Sequence, residues 1–163
     1  MKRYLLFTIL FFFLSQYIFS QEKLPNISVK NLNGKKVNIQ DINNEGSPIV
    51  LNFWATWCKP CKLELNTIAE DYEDWQDETG VKIIAVSIDD SRSMSKVAPY
   101  INSVGWDYEI YLDPNRDLAR SLGVSTVPHT FLLNEKKEIV WEHRGYIPGD
   151  EHKLLEKIES LVK

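Results

Sequence analysis

The chain has 163 residues, of which 44% are hydrophobic and 26% are charged, and its formal net charge is −4. This length and composition are typical of one soluble globular domain with a sizeable core, and they exclude a disordered or fibrous chain. The acidic balance, without any run of basic residues, argues against nucleic acid as a partner.

The first twenty residues differ in composition from the rest. Lys2 and Arg3 precede an apolar run over 4–14, and small or polar residues follow as far as Ser20. This order predicts a secretory signal peptide over 1–20, with an uncleaved membrane anchor as the alternative. Without that segment the chain has 17 basic and 23 acidic residues, a net charge of −6. We expect the protein in the periplasm or cell envelope.

Residues 21–163 predict one domain in which strands and helices alternate. The apolar positions after Cys61 recur at steps of four and three, which is typical of one buried helix face. The predicted elements are a hairpin over 24–39, strands over 49–54, 81–88, 108–112, 130–133 and 138–143, and helices from Cys61 to Gly80 and over 91–103, 113–122 and 150–162. This order predicts an α/β fold with a mixed central sheet flanked by helices.

Both cysteines lie where the strand over 49–54 meets the long helix, in Trp57-Cys58-Lys59-Pro60-Cys61. Two intervening residues in a helix-opening turn bring the sulfurs within bonding reach, and the helix N-terminus favours a thiolate on the first. We therefore expect Cys58 to be the nucleophile and Cys61 the resolving thiol. A disulfide over so short a loop restrains the unfolded chain little, so catalysis explains the pair better than structure does. We expect no metal, because the three histidines supply no second ligand pair for zinc.

The same motif, with Asn52-Phe53-Trp54-Ala55 before it and Val127-Pro128 far downstream, resembles the thioredoxin superfamily. The resemblance is specifically to its extracytoplasmic TlpA/ResA branch of thiol–disulfide oxidoreductases, which have a redoxin or AhpC/TSA-like domain. It runs from about residue 24 to the C-terminus. It implies a thioredoxin-like fold with an N-terminal β-hairpin and a helical insertion, and no cofactor beyond the redox-active disulfide Cys58–Cys61.

Glu64 lies about one helical turn after Cys61, on the same face and at the edge of the apolar stripe. Partial burial there raises the pKa of a carboxyl group and suits it to exchange a proton with Cys61. The resemblance implies this catalytic role, and the alternative is a surface glutamate paired with a lysine. Asn52 departs from the wider superfamily, since the resemblance places a buried aspartate at this strand position in cytoplasmic thioredoxins. Asparagine cannot accept a proton, so Glu64 is the better candidate for acid–base help.

Five further positions complete the predicted site. Val127-Pro128 resembles the cis-proline that faces the cysteine pair in this superfamily, although trans is the default for an X-Pro bond. The resemblance implies that Val127 pairs with an extended substrate and that Pro128 keeps metal ions off the thiols. We expect Trp57 to form an apolar rim of the substrate groove. Lys59 adds positive charge, or is merely solvated, and Pro60 suits the first helical turn.

The resemblance implies a reductase that exchanges disulfides with protein substrates. A typical client of the branch is apocytochrome c, whose haem-binding cysteines must be reduced before ligation. A membrane thiol-transporter would return the electrons. We expect a monomer.

Two other functions compete with this interpretation. A redoxin-type thiol peroxidase would have threonine and proline at the positions of Ala55 and Leu51. A copper-binding protein of this fold would use Cys58, Cys61 and His129, but such proteins space their cysteines one residue wider. A strand histidine that is packed and hydrogen-bonded is the more typical explanation of His129.

Overall fold

The computed structural model describes residues 23–163. In this part of the chain a sheet of seven strands is accompanied by four α-helices. The strands are β1 (Ser28–Asn31), β2 (Lys36–Asn38), β3 (Ile49–Trp54), β4 (Lys82–Ser87), β5 (Glu109–Leu112), β6 (His129–Leu133) and β7 (Ile139–Arg144). The helices are α1 (Lys59–Thr79), α2 (Val97–Val104), α3 (Asp117–Ser121) and α4 (Asp150–Val162). The predicted signal peptide over 1–20 lies outside the described residues.

The strand order is β2-β1-β5-β4-β3-β6-β7. The pairs β3–β4 and β4–β5 are parallel, and the other neighbours are antiparallel. Every residue of β3 is buried, as expected for a central strand covered on both faces. The predicted α/β fold with a mixed sheet and an N-terminal hairpin is therefore confirmed. Within residues 23–163, no helix combines the length and apolar character needed to cross a bilayer.

Helix α1 carries the second cysteine and is held by its apolar face. Leu65, Ile68, Tyr72 and Trp75 are buried at the predicted steps of three and four. Each apolar side chain so buried contributes roughly 1.5–3 kcal/mol to stability. The helix ends at Gly80, whose φ of 67° is left-handed and whose N–H donates to a carbonyl of the last turn.

A cluster of five aromatic rings joins α1 to the sheet and to α2. Trp54, at the end of β3, packs on Trp106 with ring centroids 4.9 Å apart and on Tyr100 at 5.7 Å. Trp106 in turn contacts Tyr108, which packs against Tyr72 of α1 at 5.0 Å. Because these rings fill the space beside the end of β3, they fix where the following loop and α1 begin.

The predicted helix over 91–103 begins later than expected. The Asp90 side chain accepts hydrogen bonds from the backbone N–H groups of Arg92 and Ser93, which holds these residues in a turn. A 3-10 turn over Met94–Lys96 follows, and α2 starts only at Val97. Pro99 lies in the first turn of α2, where its missing N–H is not needed.

The predicted helix over 113–122 is shorter than expected and covers only Asp117–Ser121. Arg116 has a φ of 58°, a left-handed conformation that no helix interior accommodates. The buried carboxylate of Asp113 accepts from the N–H groups of Asp117 and Ala119, so it caps a helix that starts four residues further on.

Candidate active site

The two cysteines form a disulfide at the N-terminus of α1, with their Cα atoms 5.3 Å apart. Cys58 is the N-cap residue, and its sulfur accepts the backbone N–H of Cys61 at 3.3 Å. Cys58 retains 4% of its surface exposed, whereas Cys61 has 0%. Both cysteines are buried, and Cys58 is the more accessible of the two.

The residues predicted to bind substrate meet at the same end of the sheet. Phe53 of β3 is paired with His129 of β6, so Pro128 comes level with the loop that leads to Cys58. The bond between Val127 and Pro128 is cis. Trp57 is 63% exposed, and Lys59 and Pro60 are also exposed beside the disulfide. Val127 is half-buried and Pro128 is buried.

Glu64 is buried beneath the disulfide and makes two hydrogen bonds across to the sheet. It accepts from Asn52 Nδ2 at 3.0 Å and from Thr130 Oγ1 at 2.9 Å, and Asn52 also donates to Thr130 at 2.7 Å. Only 4% of Glu64 is exposed. The predicted burial of this side chain is therefore confirmed, and the alternative of a surface glutamate paired with lysine is wrong.

Burial decides the ionisation of Glu64. Removal of the carboxyl group from water raises its pKa to about 7, although the hydrogen bonds from Asn52 and Thr130 favour the charged form and lower it. The group thus gains and loses its proton near neutral pH. Because it follows Cys61 by three residues, it lies on the same face of α1 as that buried sulfur.

Asp89 is a buried carboxylate that the sequence patterns did not predict. It accepts hydrogen bonds from the backbone N–H of Thr56 at 2.8 Å, from the Thr56 hydroxyl at 2.6 Å and from the Ser87 hydroxyl at 2.9 Å. Thr56 lies two residues before Cys58, so Asp89 ties the loop before the nucleophile to the end of β4. Asp89 directly follows a buried strand of the sequence. Because parallel strands end at the same edge of a sheet, this position indicates that Asp89 lies near the end of β3.

Thr130 was also absent from the predicted site. It is a buried polar residue that follows His129 and precedes the apolar residues Phe131, Leu132 and Leu133 of β6. Its partnership with Asn52 depends on the register between β3 and β6, where the two residues lie directly opposite each other. Sequence spacing does not give that register, since the two strands are far apart in the chain.

His129 is packed rather than presented to the cysteines. Its side chain is fully buried, stacks on Phe131 with ring centroids 4.3 Å apart, and places Nε2 3.3 Å from a carboxylate oxygen of Glu142. Desolvation lowers the pKa of the ring, which keeps it neutral. Among residues 23–163, no group of three or more His, Cys, Asp and Glu side chains is arranged to hold a metal ion.

A thioredoxin-like sheet with a disulfide at a helix N-terminus defines the class of a thiol–disulfide oxidoreductase. The thiol–disulfide oxidoreductase ResA of Bacillus subtilis (strain 168) is 34% identical over 116 residues, which cover 71% of this chain and 62% of that protein. This chain thus spans less than two thirds of that relative. ResA of Bacillus anthracis is 32% identical over 142 residues, 87% of this chain and 76% of that protein. The chain belongs to the AhpC/TSA family, whose family model matches residues 20–142, and is TlpA/ResA-like within the thioredoxin superfamily.

Solved structures agree with this assignment. A thioredoxin-like protein from Porphyromonas gingivalis, determined in solution, is 46% identical with a TM-score of 0.77, and the match covers 85% of this chain and 91% of that one. The crystal structure of StoA from Bacillus subtilis is 28% identical with a TM-score of 0.63, covering 81% of this chain and 99% of that one. The thioredoxin-like fold expected from the motifs is therefore confirmed.

The hydrogen bonds of Asp89 predict a stability effect. Replacement of Asp89 by alanine leaves the half-buried N–H and hydroxyl of Thr56 and the buried hydroxyl of Ser87 without their acceptor, and we expect the free energy of unfolding to fall by about 2–4 kcal/mol. Thr56→Val removes only the hydroxyl bond and should cost about 1 kcal/mol. Urea unfolding of both variants with the disulfide intact measures the two values. An Asp89→Ala variant no less stable than Thr56→Val would contradict the tethering role.

The raised pKa of Glu64 predicts a pH dependence of stability. Between about pH 4.5 and pH 7 the folded protein keeps the Glu64 proton while the unfolded chain loses it. The folded state then binds more protons, so this group makes the free energy of unfolding fall as pH rises, with a slope approaching about 1.4 kcal/mol per pH unit. Above pH 7 Glu64 is ionised in both the folded and the unfolded state, so its contribution to the free energy of unfolding no longer changes with pH.

Urea unfolding of the oxidised protein between pH 4 and pH 9 tests this prediction. Glu64→Gln removes the titrating group. The free energy of unfolding of this variant, relative to that of the parent, should therefore increase between about pH 4.5 and pH 7 and stay constant above pH 7. Glu70→Gln, at an exposed position on the same helix, is the matched control and should follow the parent. Parallel curves for the parent and Glu64→Gln would show that Glu64 ionises normally.

Proposed function

We propose that the protein reduces disulfides in other proteins outside the cytoplasm, with Cys58 as nucleophile, Cys61 as resolving thiol and Glu64 as the proton acceptor for Cys61. The observation that carries the proposal is the arrangement at the start of α1. The more accessible cysteine lies at the N-cap, the fully buried cysteine lies in the first turn, and a buried carboxyl group with a pKa of about 7 follows on the same helix face. This arrangement gives each sulfur a different task.

The reaction consists of two exchanges. The Cys58 thiolate attacks one sulfur of the substrate disulfide, that bond breaks, and one substrate thiolate leaves and takes up a proton. The Cys61 thiolate then attacks Cys58, which releases the second substrate thiolate and forms the Cys58–Cys61 disulfide. The substrate gains two electrons and the protein loses two. A thiol reductant must return them before the next cycle.

Glu64 acts in the second exchange. Cys61 is fully buried, and burial in apolar surroundings disfavours its thiolate. A carboxylate that accepts the Cys61 proton removes this obstacle, and a pKa of about 7 lets it act near neutral pH. Asn52 and Thr130 hold the carboxyl group in place through their hydrogen bonds. Since Asn52 itself cannot take a proton, Glu64 supplies the acid–base function.

The substrate lies along the start of β6. Val127, next to the cis bond, pairs with an extended segment of the substrate through its backbone, and Pro128 shields the sulfurs from metal ions. Trp57 forms an apolar rim, since most of its indole faces solvent. Lys59 and Pro60 complete the contact surface on the first turn of α1.

The reducing direction, the location and the partners rest on the resemblance to the TlpA/ResA branch and on the predicted signal peptide. On this basis the protein acts as a monomer in the cell envelope, apocytochrome c is its client, and a membrane thiol-transporter supplies its electrons. The names of the curated relatives support the activity and do not identify a client.

Reduction of insulin tests the roles of Cys58 and Glu64. We expect Cys58→Ser to abolish activity and Glu64→Gln to lower the rate at pH 7 by about tenfold or more, because the Cys61 proton loses its acceptor. The pH–rate profile of Glu64→Gln should also lose its inflection near pH 7. Glu70→Gln is the control and should match the parent. An unchanged pH–rate profile in Glu64→Gln would remove this residue from the mechanism.

Trapping in the native cell envelope tests the choice of client. The Cys61→Ser variant cannot resolve its mixed disulfide, so we expect substrate proteins to remain linked to Cys58 and to be identified by mass spectrometry. The double variant Cys58→Ser, Cys61→Ser is the control and should trap nothing. Recovery of adducts that exclude apocytochrome c would refute that client while leaving the reductase activity intact.

A peroxide assay distinguishes the competing enzyme function. The reduced protein with dithiothreitol should consume hydrogen peroxide much more slowly than it reduces insulin. Peroxide turnover faster than insulin reduction would instead identify a thiol peroxidase.

A further inference from the structure

A surface pocket of about 280 Å³ is lined by Trp57, the residue that precedes the nucleophile in the chain. Its lining comes from Trp57, the residue before Cys58, and from the turn between β4 and α2. The residues of the turn that line it are Asp90, Arg92, Ser93 and Lys96. We call it the Trp57 pocket. A side chain of a bound substrate that enters it must come from a residue close to the disulfide under attack.

Hydrogen bonds join the charged and backbone groups of the turn that forms the other wall. Asp90 Oδ2 accepts hydrogen bonds from Arg92 Nε at 2.9 Å and from Arg92 Nη2 at 2.6 Å, so both guanidinium nitrogens share one carboxylate oxygen. It also accepts the backbone N–H groups of Arg92 and Ser93. The negative charge of Asp90 is therefore matched by Arg92, and it is not available to attract a cation from a substrate.

Positive charge consequently predominates at the pocket. Lys96 lines it and Lys59 follows the nucleophile in sequence, and neither forms an ion pair within residues 23–163. Both side chains are exposed. The chain as a whole has a net charge of −4, so the charged residues that line the pocket, with one more cation than anion, differ in sign from the protein average. Such a local field favours approach of an acidic segment and disfavours a basic one.

Trp57 adds an apolar wall to this charged pocket. With 63% of its surface exposed, the indole offers a broad apolar face that a substrate covers at little entropic cost, since few of its torsions are free. A carboxylate that reaches Lys96 past this ring would pair with an exposed ammonium group, so the contact would be modest in strength and sensitive to salt.

We propose that the Trp57 pocket is a specificity site that selects protein substrates with an acidic side chain within a few residues of the cystine that Cys58 attacks. The inference deepens the proposed reductase function and rests on it. Lys96 is the residue that discriminates, because its charge is unpaired and it lines the pocket. Arg92 contributes shape rather than selectivity, since Asp90 holds it.

Symmetric peptide dimers test the proposal. Each dimer consists of two copies of one short peptide with a single cysteine, joined by a disulfide, so attack on either sulfur gives the same product. Three versions have Glu, Gln or Lys two positions before the cysteine. The protein is reduced beforehand and freed of reductant, and quenched-flow samples give the second-order rate constant of each reduction. Each rate constant is divided by the rate constant for reduction of the same dimer by dithiothreitol. This normalisation removes the intrinsic effect of the neighbouring charge on the reactivity of the disulfide.

We expect the normalised rate constant for the Glu dimer to exceed that for the Lys dimer by about fivefold at low salt, with the Gln dimer between them. The ratio should approach one at 0.5 M NaCl, because salt screens exposed charges. Lys96→Gln should lose most of the ratio, and Lys96→Glu should reverse it. The matched control is Lys136→Gln, which removes the same charge in the turn between β6 and β7, at the opposite end of the sheet.

Two results would overturn the proposal in distinguishable ways. Equal normalised rates for the three dimers, or a ratio that Lys96→Gln leaves unchanged, would reject the specificity site and leave the reductase function standing. Failure of the reduced parent protein to cleave any of the dimers or insulin would reject the proposed function itself.

Discussion

The hydrogen bonds that Glu64 receives from Asn52 and Thr130 are the constraint on which the site depends. They join the first turns of α1 to β3 and β6, the two strands whose ends lie beside the disulfide. Burial of a carboxyl group is costly unless such partners are present. Here the partners offset part of that cost and leave the pKa of the group about 7, so one small network both anchors the helix and keeps a proton available.

A second buried carboxylate performs a different task at the same edge of the sheet. Asp89 accepts three hydrogen bonds from Thr56 and Ser87 and holds the loop before Cys58. Glu64 fixes the helix after the disulfide, whereas Asp89 fixes the chain before it. The two cysteines are therefore positioned from both sides by polar groups inside an otherwise apolar core. Both carboxylates, Glu64 and Asp89, are buried.

The sequence predicted the elements whose periodicity is strong and local. Strand β3 and helix α4 were predicted with their observed bounds. An uninterrupted apolar run indicates a buried strand, and an amphipathic stripe indicates a helix that packs on one face. The predicted starts of α2 and α3 were wrong. Hydrogen bonds to Asp90 and Asp113 and the left-handed conformation of Arg116 hold the preceding residues in turns, although the sequence there has helical periodicity. The burial of Glu64 followed from its angle to Cys61 on one helix. Thr130 and Asp89 did not follow, since each meets its partner across strands that only the folded sheet brings together.

The complete burial of Cys61 has a consequence for the lifetime of the protein. Small oxidants and free thiols reach a sulfur only through its exposed surface, and Cys61 has none. Sulfenic acid and mixed disulfides therefore form first on Cys58, which retains 4% of its surface exposed, and the Cys61 thiol can displace water or the bound thiol from that sulfur to form the Cys58–Cys61 disulfide. The burial of Cys61 thus keeps one thiol of the pair unmodified, and that thiol can restore Cys58 after a reversible modification.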